Sequence, residues 1–203
     1  MVTTPTSPKS PRDLYRIGKR SGVWDPEQIP VAEDRADWQR LTPDQQEQLL
    51  KVCSLFYEGE VSVADTLAWW LVAMPGADRR ALVLGVTHYM GVIEGVLAVS
   101  GYDYFDELLV PRAILPRLLQ GIRLIRADEG RHITVGMDFL RERLAACPEL
   151  AEPVRQLFLD EGVKIPARID FIFATNPFGL DRDRLMAIAY DQLAQRSREI
   201  GLA

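Results

Sequence analysis

Apolar residues recur at steps of three and four along three stretches of the chain, and in each stretch one glutamate interrupts the stripe. Leu49, Cys53, Phe56, Glu60, Val63, Leu67 and Trp70 make the first stripe, and Val83, Val86, Met90, Glu94 and Leu97 the second. Leu118, Ile122, Ile125, Glu129, His132, Gly136 and Leu140 make the third. This period predicts amphipathic helices whose stripes face a shared core, so Glu60, Glu94 and Glu129 should point inward. The first helix should begin with Thr42 as N-cap, Pro43 at the first helical position and Gln45 three residues on, a capping-box arrangement. The second should run from about Asp78 to Leu109, loosened near Gly101, and the third from about Pro116 to Ala146. Pro75-Gly76-Ala77 and Val110-Pro111-Arg112 are the stops between them. A fourth helix opens near Glu152-Pro153, weakens at Gly162 and Pro166, and ends before Asn176-Pro177-Phe178-Gly179, and a fifth covers roughly Arg182 to Ile200. Strand signals are scarce and no internal repeat is visible, which predicts an all-α bundle.

The placement of the acids adds chemistry to this pattern. Glu60, Glu94 and Glu129 follow one another at steps of 34 and 35 residues, and each stop falls midway between two of them. Residues equidistant from the turn of a helical hairpin sit at one height. Three carboxylates and, through Glu129-x-x-His132, one imidazole are thus expected at a common level on three antiparallel helices. A carboxylate buried in hydrocarbon is so costly that it takes up a proton or finds a partner, and three at one level call for a cation. Iron or manganese is the expected ion. A second Glu-x-x-His, which a two-metal bundle would use, is absent from the sequence. His88 lies six residues before Glu94 and should point elsewhere on the helix, while Glu161 interrupts a further stripe of Val154, Phe158, Ile165 and Ile169 and reads as a helix-edge acid rather than a ligand.

Composition narrows the classes. With 203 residues, nearly half of them apolar, the chain suits one domain with a sizeable core. A net charge of -5 and the lack of a dense Lys/Arg cluster argue against a nucleic-acid surface. Cys53 and Cys147 form no disulfide framework, which fits a reducing cytoplasm. Apolar runs such as Leu67 to Met74 are too short to span a bilayer, so no membrane span is expected. Residues 1–12, with prolines and little to bury, read as a disordered tail, and residues 13–203 as the single helical domain. Its first part, to residue 41, reads as an extended arm, because Trp24, Ile29, Val31 and Trp38 are spaced irregularly among prolines and charges.

The order of several short strings resembles a known family. These are Trp24-Asp25-Pro26, Asp34-Arg35-Ala36-Asp37-Trp38 and Gly59-Glu60-Val61-Ser62-Val63, followed by Val92-Ile93-Glu94-Gly95-Val96-Leu97-Ala98 with Gly101-Tyr102. Arg112-Ala113-Ile114-Leu115-Pro116 and Asp128-Glu129-Gly130-Arg131-His132 complete the series. In this order they are similar to the ligand-binding oxidases related to the ribonucleotide reductase small subunit, ferritin-like proteins with a manganese/iron or di-iron centre. The resemblance implies a ferritin-like bundle shortened by one ligand-bearing helical segment, since the chain turns at Pro75-Gly76 where the family continues. It implies that Glu94, Glu129 and His132 hold one metal position, that Glu129 bridges, and that Glu60 serves the other position, whose remaining Glu and His have no counterpart. It also implies an ether crosslink between Val63 and Tyr89, and a role for Asp128 as acceptor orienting a ligand imidazole.

Two functions follow as expectations. One is a metal-dependent oxidase that activates dioxygen at this reduced carboxylate/His site, with a long apolar, fatty-acid-like ligand or substrate implied by the resemblance. The other is a redox-inactive ferritin-like binding or assembly protein. Either version should be a homodimer, because the missing segment leaves an apolar face needing cover, with Trp69, Val72 and Leu82 as contact residues.

Overall fold

The computed structural model describes residues 24–73 and 79–202, with backbone only at 60, 62–73 and 79 and a few isolated positions before residue 24. The tail at 1–12 lies outside the described residues. Among the described residues every regular element is helical. Helix α1 spans Arg35–Arg40, α2 Pro43–Ala73 and α3 Arg79–Val86, which continues through a π-helical stretch, Thr87–Ala98, into α4, Val99–Leu109. Then come α5, Pro116–Ala146, α6, Ala151–Gly162, α7, Ile165–Ile172, and α8, Arg182–Glu199. The rod running from α3 through α4 is the centre of the bundle. It packs on α5 along one side and on α8 along the other, with α6 and α7 closing the far face.

The helix boundaries follow their local chemistry. Thr42 and Gln45 form the reciprocal capping pair, with the Thr42 amide donating to Gln45 Oε1 at 3.0 Å and the Gln45 amide to Thr42 Oγ1 at 3.3 Å. Helix α5 begins at Pro116, which needs no amide partner, and ends at Ala146 as its pattern predicts. The turn before it places Ala113 and Leu115 at φ 50°, a left-handed conformation costly for residues with a Cβ. Arg112 ties this turn down by donating to the carbonyl oxygens of Leu108 and Phe178, at 2.9 and 2.5 Å.

The arm is present from Trp24 onward, and its course is broken into short helical turns at Pro26–Gln28 and Val31–Asp34 before α1. Ile29 and Trp38 pack on the core, and polar contacts fasten the arm to α5. Buried Asp34 accepts the otherwise orphaned backbone amides of Arg117 and Leu118 at the start of α5, at 3.0 and 2.8 Å, and Asp37 accepts that of Leu115 at 2.8 Å. The carboxylate of the arm is therefore the N-terminal cap of a helix more than eighty residues away. Asp34→Ala should cost about 1–2 kcal/mol of stability, as loss of a helix cap does, and urea melts of the two proteins will show it.

The π-helical stretch carries Glu94. At one end the hydroxyl of Thr87 donates to the Val83 carbonyl, and beyond the other that of Ser100 donates to the Val96 carbonyl, both at 2.7 Å. Such back-bonding competes with the α-helical ladder, and π-helical turns of this kind gather at functional sites. Close packing fixes the register against α5. A Cβ at Gly136 would lie 2.4 Å from the Cβ of Met90, so the two helices meet there only because residue 136 has no side chain.

The rod from Arg80 to Leu109 is long and apolar enough to cross a membrane by length and composition. Its Val92, Val96, Phe105 and Leu108 are nevertheless core residues, packed against α5, α7 and α8 within the bundle. The rod is a core helix.

Candidate metal centre

Glu94 comes from the π-helical stretch, and Glu129 and His132 from one face of α5, where a spacing of three brings their side chains together. One potential ligand atom from each of the three lies within 4.8 Å of the other two. His132 Nδ1 is 3.3 Å from Glu129 Oε2 and 3.9 Å from Glu94 Oε1. Both carboxylates are buried, each residue with 6% of its surface exposed. The imidazole is not, for 54% of the His132 side chain is accessible. Its place in the third stripe suggested a core-facing residue, but a step of three along an α-helix falls about 60° short of a full circle, and this carries His132 to the edge of the stripe.

The electrostatics match a cation site. The Glu129 hydrogen bond, against the opposing effect of burial and with help from the charges of Glu94 and Glu129, holds the His132 pKa above its ordinary value. Two inward-facing acids stabilise positive charge between them, whether that charge is a proton on the imidazole or a metal ion. A carboxylate-rich, imidazole-containing donor set suits iron or manganese, so the residues fit such an ion.

The acids also form part of a cavity of about 510 Å³. Its lining is mainly apolar, with Val52 and Phe56 from α2, Ile93 and Leu97 from the π-helical stretch, and Ile169 and Ile172 from α7. Tyr89 lies in the same wall as Glu94. Glu60 and Val63 are on α2, but their side chains are outside the described residues; Gly59, next to Glu60, lines the cavity with Glu94 and Glu129.

Three solved structures are similar to this fold. An R2-like ligand-binding oxidase with an aerobically reconstituted metal cofactor after photoconversion superposes with a TM-score of 0.87, at 20% identity over 96% of this chain and 94% of that one. A single-residue variant of an R2-like ligand-binding oxidase with an aerobically reconstituted Mn/Fe cofactor gives 0.82 at 20% identity, over the same shares of the two chains. The R2-like ligand-binding oxidase from Sulfolobus acidocaldarius gives 0.81 at 23% identity, over 94% and 89%. The fold is that of the R2-like ligand-binding oxidases. No family model matches the chain. At these identities the likeness establishes the ferritin-like architecture of the R2-like ligand-binding oxidases, and the chemistry has to be argued from this chain's own residues.

The other sequence candidates are distributed differently. His88 faces Glu161, with Nδ1 3.9 Å from Oε1, and takes no part in the Glu94–Glu129–His132 group. Glu161 is buried and accepts from Lys164 Nζ at 2.6 Å and Arg168 Nη2 at 2.7 Å, so it is a salt-bridge node. Those two bonds outweigh the upward push of burial and hold the Glu161 pKa below the ordinary carboxylate value. Asp128 accepts from Trp24 Nε1 at 2.8 Å and pairs with Arg131, rather than orienting the His132 imidazole. Lys164 and Arg168 line the cavity and were not anticipated. Their only signal in the sequence is a pair of cations four residues apart beside Ile165 and Ile169.

Proposed function

We propose that this protein is a metal-dependent oxidase of the R2-like ligand-binding type, holding iron or manganese on Glu94, Glu129 and His132 and accepting a long apolar ligand or substrate in the adjoining cavity. The observation that carries this reading is the opening of two buried carboxylates, Glu94 and Glu129, grouped with the His132 imidazole, onto an apolar cavity. The solved oxidases of this fold with a reconstituted Mn/Fe cofactor support the choice of ion. Bound there, the metal would supply activation of dioxygen. Glu94 and Glu129 offset the charge of the ion, and the apolar lining keeps water from the reacting end of the ligand. Glu60, on α2, serves as a fourth ligand or as the carboxylate of a second ion.

Tyr89 and Val63 are the residues on which the oxidising power would act first. An ether bond between the Tyr89 oxygen and a Val63 side-chain carbon forms with loss of the phenolic hydrogen and one C–H hydrogen, the two electrons and two protons passing to dioxygen. The position of Tyr89 in the cavity wall beside Glu94 supports this. Aerobic reconstitution with iron and manganese, followed by peptide mass analysis, tests it. The expected result is oxygen uptake and a linked peptide two hydrogens lighter than its parts; metal binding without oxygen uptake would leave only a binding protein.

The same reading makes the protein a homodimer of the reducing cytoplasm. The exposed Leu55, Tyr57 and Val61 on α2 support a partner on that face, and the unpaired Cys53 and Cys147 support the compartment. Leu82 is partly buried in this chain, while Trp69 and Val72 lie where side chains are not described. Light scattering at micromolar concentration should give twice the 22.9 kDa chain mass. A monodisperse monomer would refute the dimer.

A further inference from the structure

We infer that Tyr104 is a specificity-determining residue whose phenolic hydrogen binds a neutral carbonyl oxygen, of a ketone or ester, carried on the ligand well away from its metal-facing end. Tyr104 lines the cavity and is only 4% exposed. It stands ten residues beyond Glu94 on the same continuous rod, a rise of about 15 Å. The lining from the neighbouring helices is apolar there, with Val52 and Phe56 from α2 and Ile172 and Phe173 from the end of α7. One polar group in such a wall selects for one polar atom in the ligand.

The hydrogen bonds behind the phenol fix its role. Buried Gln48 donates from Nε2 to the Ile172 carbonyl at 2.9 Å and to the Tyr104 hydroxyl at 3.2 Å, which uses both hydrogens of its amide. Its Oε1 accepts from the Thr175 hydroxyl at 3.0 Å. Only the amide nitrogen can meet the Ile172 carbonyl, so Gln48 has one orientation and cannot offer its oxygen to Tyr104. The Tyr104 oxygen is thereby an acceptor, and its own hydrogen has no acceptor among the described residues. Burial raises the pKa of this phenol against the lowering effects of the Gln48 bond and the Arg112 charge, so the hydroxyl keeps that hydrogen at neutral pH. Ser100, also in the lining, already donates to the Val96 carbonyl at 2.7 Å. A buried donor left unsatisfied is costly, which favours a ligand that brings an acceptor to Tyr104. A carboxylate here would be buried with one neutral donor for its full charge, and an alcohol would bring a hydrogen needing an acceptor of its own. A carbonyl oxygen needs only the donor that Tyr104 provides.

This inference rests on the proposed function for what the other end of the ligand meets, and its test separates the two. Affinities of methyl tridecyl ketone and of pentadecane for the purified full-length protein are measured by displacement of a fluorescent probe, with metal content determined on the same samples. The ketone should bind about fivefold more tightly, the value of one neutral hydrogen bond. Tyr104→Phe, which keeps the ring, should leave pentadecane unchanged and bring the ketone down to it. The infrared carbonyl band of the bound, isotopically labelled ketone should lie below its position in hydrocarbon solvent, and in Tyr104→Phe it should return there. Equal affinities for ketone and alkane in the native protein would overturn the site. So would a preference that survives in Tyr104→Phe, because another donor would then hold the carbonyl. If that variant does not fold, meta-fluorotyrosine in place of Tyr104 supplies a stronger donor of nearly the same shape and should move the carbonyl band further down; an unmoved band has the same force against the site. A ketone preference that Tyr104→Phe abolishes, in protein that takes up no iron or manganese, would uphold the site and overturn the oxidase reading alone.

Discussion

Protein carrying His132→Ala should purify without its metal, while His88→Ala keeps it. His132 supplies the nitrogen donor of the group, and without it two carboxylates remain to hold the ion from α5 and the π-helical stretch. Changes to residues that merely orient a metal ligand already cost 10–100-fold in affinity, so loss of the ligand itself should exceed about 100-fold. The substitution is also a clean one. With 54% of its side chain accessible, His132 contributes little to the core, and the alanine protein should fold with an unchanged helical spectrum. His88 is the matched control, a histidine with 46% of its side chain accessible that faces Glu161 instead. Plasma emission measurements of iron and manganese per chain decide the matter. Full occupancy in His132→Ala would remove the imidazole from the site and leave an acid cluster of another purpose.

Chelation should lower the melting temperature by about 8–16 °C at near-neutral pH. An ion present at a thousand times its dissociation constant stabilises the folded state by about 4 kcal/mol, and a chain of this size shifts by about 2–4 °C per kcal/mol. Removal of the ion also leaves Glu94 and Glu129 close together and buried, with His132 as the compensating cation. The pH dependence has a definite sign. In metal-free protein the His132 pKa is raised by the Glu129 hydrogen bond, so its contribution to stability is complete below the ordinary histidine value and is lost as pH rises through the raised one. Metal binding requires the neutral imidazole and displaces that proton. The gap between loaded and metal-free protein should therefore widen as pH rises through that range. Superimposed melts before and after verified metal removal would show that the acids are held by protein contacts alone.

Much of this protein is written within single turns of its helices. The start of α2 is set by Thr42 and Gln45, the start of α5 by Pro116, and the inward turn of Glu94 and Glu129 by stripes of apolar residues at helical period. These are interactions between neighbours three or four residues apart, and a sequence displays them directly. The meeting of Glu94 with Glu129 and His132 was also legible, because equal distances from the Val110-Pro111 turn impose equal heights on two antiparallel helices. What lay beyond that reach was decided by packing across the bundle. His132 sits at the edge of its stripe, with more than half its side chain accessible. Asp34 caps α5 from an arm whose apolar pattern is irregular, and the π-helical geometry under Glu94 departs from the α-helical period that revealed it. Lys164 and Arg168 became cavity residues only because α7 lies against the Glu94 wall, with Glu161 binding both cations and leaving Arg168 Nη1 to the interior. Periodicity states which face of a helix is buried; the elements that cover it come from other parts of the chain, and only the assembled fold brings their charges together.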